Sequence, residues 1–173
     1  MEEIGIIIEA RMGSTRFPGK VMKKINGKPM LYYLLKRLSK LEDNIKIIVA
    51  TSLKSENKII SDFSKNMGVY CYRGSENNVL LRVLNAAEKF KLKNIISITA
   101  DCPIICIDIL RDIIRKYKKS KVDYISTKNF IGGMDTQIYR KKSLKKSYKL
   151  DKTFLNKEHV TYFIRRSKLF KKK

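Results

Sequence analysis

The sequence predicts a single α/β domain in which helices cover both faces of a doubly wound, mostly parallel sheet, giving three layers. Short apolar runs, typical of strands buried on both faces, alternate along the chain with stretches whose apolar residues recur at helical spacing. This alternation favours parallel strands joined by helices. The length of 173 residues suffices for one domain with a substantial core and is too small for two ordinary ones.

The predicted elements follow one another in a regular order. Strands are predicted at residues 4–9, 46–51, 69–72, 94–99 and 123–126. Helices are predicted at residues 30–41, 59–67, 79–87 and 110–117. Pro29 is placed to open the first helix, and Gly68 is placed to cap the end of the second. We find no internal repeat and no low-complexity linker.

Composition excludes several classes of protein. Hydrophobic residues make up 43% and charged residues 32%, as in soluble globular chains rather than disordered ones. No apolar run approaches the length of a membrane span, and the acidic start does not resemble a signal peptide. We therefore expect a cytoplasmic protein with no membrane partner.

The three cysteines do not indicate a disulfide framework or a metal site. Cys71, Cys102 and Cys106 are an odd set in a chain with no export signal. Pro103 lies between the last two, and His159 is the single histidine, so a zinc site would be short of ligands. We interpret the thiols as small buried hydrophobic groups.

The formal net charge of +23 is unevenly distributed. Residues 140–173 contain 14 Lys or Arg against 2 Asp or Glu, and a basic tail covers about residues 165–173. Such a balance favours anionic partners, which include phosphates, nucleic acids and acidic sugars.

The first loop, residues 10–20, directly follows the first strand, where ligands of open α/β sheets bind. Its two glycines, two hydroxyls and three cations are groups that hold a triphosphate. Val21 follows Lys20 where a Walker A loop needs Ser or Thr for magnesium, so this is a different kind of phosphate loop. A solvated basic loop is the alternative.

Three further segments follow predicted strands. Asp101 comes directly after the fourth strand, where a carboxylate can hold Mg²⁺ beside phosphates or cap the next helix. Arg73, with Gly74 and Ser75, offers groups that read a base or ribose, although turns commonly contain such residues. Asp135 follows two glycines and is either a ligand or part of a turn.

These segments resemble the cytidylyltransferases that activate acidic sugars. The nearest subgroup is the spore-coat-polysaccharide type, which is related to the acylneuraminate and ketodeoxyoctulosonate cytidylyltransferases. The resemblance covers essentially the whole chain and is most specific in the first loop and in the RGSE and TADCP segments. The matching motifs are, in order, ARMGSTRFPGKVM, NGKPML, VATS, YRGSENNVLLRVLNAA, ITADCPII, DYIST, GGMDTQIY and KEHVTYFIRR.

The resemblance implies a Rossmann-like fold of the nucleotide-diphospho-sugar transferase type, CTP and a sugar as substrates, Mg²⁺ as cofactor and a homodimer. The implied reaction is attack of a sugar hydroxyl on the α-phosphorus of CTP with release of pyrophosphate. The implied catalytic residues are Arg11, Lys20 and Asp101, with Asp101 holding Mg²⁺. The implied nucleotide-binding residues are Ala10, Arg11, Gly13, Ser14, Arg16, Lys20, Arg73 and Ser75. Sugar binding is implied for Asp135, Glu158 and His159; for His159, a structural role at a helix end is the alternative.

Three departures from the family pattern leave two alternatives open. Family members usually continue into a further strand and helix with another acidic motif, and acidic residues often stand where this chain has Gln137 and the pair Asn77-Asn78. Each departure removes negative charge from a site expected to gather Mg²⁺. One alternative is a truncated or degenerate member that binds nucleotide without turnover. The other is a basic nucleic-acid-binding protein, which the lack of an RNP motif, zinc finger or helix-turn-helix signature disfavours.

Overall fold

A computed structural model describes residues 4–14, 17–41, 45–127 and 134–173 of the chain. The strands are β1 (Ile4–Glu9), β2 (Lys24–Ile25), β3 (Lys28–Pro29), β4 (Lys46–Ser52), β5 (Tyr70–Gly74), β6 (Asn94–Thr99), β7 (Tyr124–Ser126) and β8 (Gln137–Arg140). The α-helices are α1 (Met30–Leu38), α2 (Lys58–Asn66), α3 (Val79–Lys89), α4 (Ile107–Lys118), α5 (Lys141–Leu150), α6 (Phe154–Glu158) and α7 (Tyr162–Arg166).

The central sheet has six strands in the order β5-β4-β1-β6-β8-β7. β1 pairs in parallel with both β4 and β6, and β5 pairs in parallel with β4. β8 is antiparallel to both of its neighbours, β6 and β7. β2 and β3 form a separate small hairpin. The predicted fold class, a doubly wound and mostly parallel sheet, is therefore confirmed.

Side chains alternate along β1 and divide the core into two layers. Ile6 and Ile8 pack with the apolar faces of α1 and α4 on one side of the sheet. Ile7 packs with α3 and with residues from α5 and α7 on the other side. All three isoleucines are fully buried. Two apolar layers on a central strand give the three-layer architecture that the continuous apolar run predicted.

The predicted helix ends agree with the structure where the turn chemistry is clear. Pro29 immediately precedes α1, and Gly68 follows α2 with a left-handed φ of 70°. A left-handed residue after a helix is usually glycine because a Cβ strains that conformation. The amide of Val69 donates to the carbonyl of Ser64 at 2.9 Å, which completes the cap.

The described chain from residue 137 onwards was not predicted in detail. β8 is inserted between β6 and β7, and three helices follow it where the sequence indicated mainly a basic segment. The basic tail packs against the sheet edge: the amides of Asp123 and Tyr124 donate to the carbonyl of Lys171, and Phe170 is buried. Within the described ranges, no helix combines the length and apolar character needed to cross a membrane.

Candidate functional site

The first loop is held at the carboxyl end of β1 by backbone contacts. The buried side chain of Asn57 accepts a hydrogen bond from the amide of Met12 at 2.8 Å. The carbonyl of Met12 accepts from the amides of Ser14 and Gly19, each at 2.8 Å. Gly19 adopts a left-handed φ of 69°, so a side chain there would strain the turn that leads into Lys20.

A cavity of about 260 Å³ opens where the first loop meets the ends of β1 and β6. We call it the inner cavity. It brings together seven of the residues predicted for the site, from segments far apart in sequence: Ala10, Arg11, Ser14, Lys20, Asp101, Glu158 and His159. Glu9, Val21, Val79, Arg82, Thr99 and Ala100 complete its lining. Its charged groups are three cations and three carboxylates, which suits a ligand with both charged and polar parts.

Lys20 and Asp101 form an ion pair across the inner cavity, between the first loop and the segment after β6. Both side chains are partly exposed. Burial raises the pKa of the Asp101 carboxyl, but hydrogen bonds from Lys20 and Thr99 outweigh this effect and hold the pKa below its ordinary value. Asp101 is therefore ionised at neutral pH and presents a full negative charge to a ligand.

Arg11 forms a second ion pair, with Glu158 at the end of α6. A terminal guanidinium nitrogen of Arg11 lies 2.5 Å from a carboxylate oxygen of Glu158. The two residues are 147 positions apart in sequence. This pair joins the first loop to the C-terminal helices, so the residues implied for phosphate and for sugar binding are in direct contact.

His159 lies at the end of α6 and lines the inner cavity. Its amide donates to the carbonyl of Leu155 at 2.9 Å, and its own carbonyl accepts from the amide of Tyr162 at 2.6 Å. These backbone bonds give His159 a structural role at the helix end. The predicted role of His159 in sugar binding remains a prediction.

Two charged residues of the inner cavity were not predicted. Glu9 is the last residue of β1, and Arg82 is the fourth residue of α3. Arg82 is only 1% exposed. Neither residue was recognised from the sequence. Glu9 ends an apolar strand, and Arg82 directly precedes Val83, which belongs to the apolar stripe of a helix. A charged residue within a buried helical stripe was the available signal.

The carboxyl group of Glu9 accepts a hydrogen bond from the Ser97 hydroxyl at 2.5 Å. Burial raises the pKa of Glu9, and the opposing effects of the Ser97 hydrogen bond and the Arg82 charge do not cancel that rise. The folded protein therefore binds this proton more tightly than the unfolded chain does. The free energy of unfolding should fall as the pH rises from the ordinary pKa of glutamate through the raised pKa of Glu9.

Glu9→Gln should remove this part of the pH dependence. Relative to the wild type, the variant should become progressively more stable as the pH rises from the ordinary pKa of glutamate through the raised pKa of Glu9. Urea unfolding midpoints across that range would measure the difference. Glu88→Gln is the matched control, because a hydrogen bond from Lys141 lowers the pKa of Glu88 and gives the opposite trend. A constant difference between Glu9→Gln and wild type would contradict the prediction.

The structure does not bring Arg73 and Ser75 into the inner cavity. The guanidinium of Arg73 donates to the carbonyls of Ser52, Leu53 and Lys54, at 2.9 to 3.1 Å. The hydroxyl of Ser75 accepts a hydrogen bond from the amide of Asn78 at 3.2 Å. Arg73 thus ties β5 to the segment that follows β4, and Ser75 holds the turn between β5 and α3. Their predicted contacts with cytidine remain predictions.

Gly13 and Ser14 lead into a second, more open cavity of about 760 Å³, which also contacts Glu56 and Ile59. We call it the outer cavity; Ser14 lines both cavities. A Cβ on Gly13 would lie 3.4 Å from a carboxylate oxygen of Glu76, so the backbone passes close to that side chain. Of the other predicted residues, Asp135 is exposed and does not line the inner cavity, while Arg16 lies outside the described residues.

Two of the three positions that depart from the family pattern, Asn78 and Gln137, have structural roles. Asn78 caps α3, where its side-chain oxygen accepts from the amide of Leu81 at 2.9 Å. The side-chain oxygen of Gln137 accepts from the hydroxyl of Thr161 at 2.8 Å. Neither residue lines the inner cavity. The replaced charges therefore do not belong to the wall that holds Lys20 and Asp101.

The described residues contain no cluster of three or more His, Cys, Asp or Glu side chains arranged for a metal ion. The three cysteines are free thiols and are partly buried rather than fully buried as predicted, and Cys102 packs against the core. Asp101 is the predicted metal ligand. A single carboxylate fits Mg²⁺, which commonly takes one or two protein carboxylates and completes its shell with substrate phosphates and water.

Comparisons with known proteins agree with this geometry. The chain is 38% identical over 95% of its length to an uncharacterised protein of Methanocaldococcus jannaschii, of which it covers 67%. It is 31% identical over 95% of its length to the spore coat polysaccharide biosynthesis protein SpsF of Bacillus subtilis, of which it covers 71%. A solved cytidylyltransferase from Leptospira borgpetersenii superposes with a TM-score of 0.89 at 28% identity, covering 99% of this chain and 75% of the other.

A family model described as cytidylyltransferase matches residues 5–172, a range that includes both cavities and every predicted site residue. The first-loop, RGSE and TADCP motifs all fall within that range. The chain belongs to the cytidylyltransferase family.

Proposed function

We propose that the chain transfers a cytidylyl group from CTP to an acidic sugar destined for surface polysaccharide and releases pyrophosphate. The observation that carries this proposal is the inner cavity, where Lys20 and Arg11 from the first loop face Asp101 and Glu158. Membership of the cytidylyltransferase family supports CTP and a sugar as substrates. The similarity to a protein named for spore coat polysaccharide biosynthesis supports the proposal that the sugar is used for surface polysaccharide.

The cations of the first loop would hold the triphosphate. Lys20 and Arg11 line the inner cavity together with the hydroxyl-bearing Ser14, and such groups bind phosphate oxygens through charge-assisted hydrogen bonds. In the free protein both cations are occupied by carboxylates. Binding of the triphosphate would exchange these partners, releasing Asp101 and Glu158 for the other substrates.

The chemistry is an in-line displacement at phosphorus. A bond forms between the sugar hydroxyl oxygen and the α-phosphorus, and the hydroxyl proton passes to solvent. The bond between that phosphorus and the bridging oxygen to the β-phosphorus breaks, and pyrophosphate leaves with the electron pair. The protein contributes positioning and charge stabilisation. Lys20 and Arg11 would stabilise the negative charge that develops on the phosphates.

Asp101 is the residue that would hold Mg²⁺, since its carboxylate is ionised and lies on the cavity wall that faces Lys20. The ion would supply neutralisation of phosphate charge when bound. Glu158 and His159 would contact sugar hydroxyls from the opposite end of the chain. A homodimer is part of the proposal and rests on the family resemblance. The cytoplasmic location expected from the sequence is part of it as well.

Calorimetric titration of the purified protein with CTP, with and without Mg²⁺, tests the proposal, with ATP, GTP and UTP as competitors. We expect saturable binding that prefers CTP and tightens with Mg²⁺, followed by pyrophosphate release when a suitable acidic sugar is added. Binding without pyrophosphate release from any acidic sugar would identify a family member without turnover. Absence of nucleotide binding would refute the proposal.

A further inference from the structure

Met12 is the residue through which the first loop is fixed in place. Its carbonyl accepts hydrogen bonds from the amides of Ser14 and Gly19, each at 2.8 Å, and Gly19 leads directly into Lys20. Arg11 directly precedes Met12 in the chain. The backbone of Met12 therefore sets the position of three polar residues that line the inner cavity, Arg11, Ser14 and Lys20.

The amide of Met12 is held by a side chain from a distant part of the sequence. The side-chain oxygen of Asn57 accepts from this amide at 2.8 Å, across 45 positions of sequence. Asn57 is fully buried and lines neither cavity, so it does not itself meet a ligand there. It directly precedes α2, yet among the described residues its side chain accepts no hydrogen bond from the start of that helix. Asparagine is common at such positions because its oxygen can cap the free helix amides. Here the oxygen holds the first loop instead.

A second hydrogen bond fixes the orientation of the Asn57 amide. Its nitrogen donates to the hydroxyl oxygen of Ser52 at 2.8 Å. Ser52 is the last residue of β4 and is also fully buried. An asparagine amide has an acceptor on one side and donors on the other, so the bond to Ser52 leaves the oxygen facing Met12. The hydrogen bonds thus lead from the end of β4 to the loop that carries the cations.

Arg73 anchors the same segment from the neighbouring strand. Its guanidinium donates to the carbonyls of Ser52, Leu53 and Lys54, at 2.9 to 3.1 Å. The carbonyl of Lys54 also accepts from the backbone amide of Asn57 at 3.0 Å. The backbone that carries Asn57 is therefore tied to β5, which contains Arg73.

We propose that Asn57, anchored by Ser52 and Arg73, is a positioning residue that holds the first loop in the conformation that binds the triphosphate. This inference rests on the proposed function. If the loop already has its binding conformation, Arg11 and Lys20 do not have to be ordered as the ligand binds, and the entropy loss of that ordering is avoided. Turnover depends on the same placement, since the transfer relies on charges held in position.

The test is calorimetric titration with CTP of the wild type, Asn57→Ala, Lys20→Met and the variant with both substitutions. We expect Asn57→Ala to weaken CTP binding about tenfold in the otherwise wild-type chain. Because Asn57 acts through the loop, this loss should shrink to about threefold or less when Lys20 is already replaced. A general loss of structure would weaken binding by the same factor in both backgrounds, so additive effects would overturn the inference.

Asn94→Ala is the matched control for the loss of a buried asparagine. Asn94 is 1% exposed, and its side-chain oxygen accepts from the hydroxyl of Tyr117 at 2.7 Å. It begins β6, at the opposite end of that strand from Thr99, which lines the inner cavity. The substitution should lower the unfolding temperature and leave CTP binding unchanged. An equal loss of CTP affinity in Asn94→Ala and Asn57→Ala would contradict a specific role for Asn57.

Ser52→Ala is a milder second variant, which decides the question if Asn57→Ala does not fold. It removes the acceptor that orients the Asn57 amide but leaves the hydrogen bond to Met12, and we expect about threefold weaker CTP binding. Thermal unfolding of each variant shows which of them fold. Wild-type affinity for CTP in the folded variants at Asn57 and Ser52 would overturn this inference alone. A wild type that binds no nucleotide would overturn the proposed function with it.

Discussion

Lys20→Met should reduce cytidylyl transfer about 100-fold or more and weaken CTP binding about tenfold. Methionine keeps most of the aliphatic length of lysine but removes its charge. Lys20 is the first-loop cation that faces Asp101 in the inner cavity, so its loss leaves the phosphates without that partner. The larger effect on turnover is expected because negative charge increases on the phosphates as pyrophosphate leaves. Initial rates of pyrophosphate release, with calorimetric titration of CTP, would measure both effects.

Lys24→Met is the matched control for this substitution. Lys24 is exposed on β2, only four residues away, and lines neither cavity. The substitution Lys24→Met changes the net charge by the same amount as Lys20→Met. A general loss of electrostatic attraction for CTP would therefore affect both variants equally. Equal behaviour of the two variants, or unchanged CTP binding in Lys20→Met, would show that the first loop does not hold the phosphates.

The part of the fold from β1 to α4 could be predicted because its hydrophobic periodicity is strong. β1, β4 and β6 contain apolar runs, and each helix from α1 to α4 has an apolar stripe. The short hairpin of β2 and β3 lacks such a run and was not predicted. The helix α5 could not be predicted in this way, because five of its ten residues are lysines and its buried face consists of Ser143, Leu144 and Ser147. Small polar residues at helical spacing give no hydrophobic signal, so the segment looked like a solvated basic run.

The candidate site, too, could be predicted only in part from the sequence. Lys20, Asp101 and Glu158 were identified by their motifs, and the structure brings them to one cavity. A motif does not show what each side chain contacts, and Arg73 is bonded to three carbonyl groups instead of facing that cavity. Arg82 reaches the cavity only because α3 packs across the end of β1, and such a tertiary contact cannot be inferred from residue spacing alone.

Asp101→Asn should separate nucleotide binding from metal-dependent turnover. Asparagine keeps the shape of the side chain but removes the charge that Lys20 and Thr99 stabilise in the folded protein. We expect pyrophosphate release to fall about 100-fold, because the phosphates would lose the protein ligand that fixes Mg²⁺ beside them. CTP binding measured without Mg²⁺ should be unchanged or tighter, since a carboxylate that repels the triphosphate is removed and Lys20 becomes available.

The diagnostic quantity is the ratio of CTP affinities with and without Mg²⁺. In the wild type this ratio should exceed one, and in Asp101→Asn it should approach one. Asp108→Asn provides the control, because Asp108 is an exposed carboxylate on α4 that pairs with Arg111 outside both cavities. If Asp101→Asn keeps the full increase in CTP affinity that Mg²⁺ gives the wild type, the metal is held by other ligands. Loss of CTP binding in the absence of Mg²⁺ would instead mean that Asp101 mainly orients Lys20.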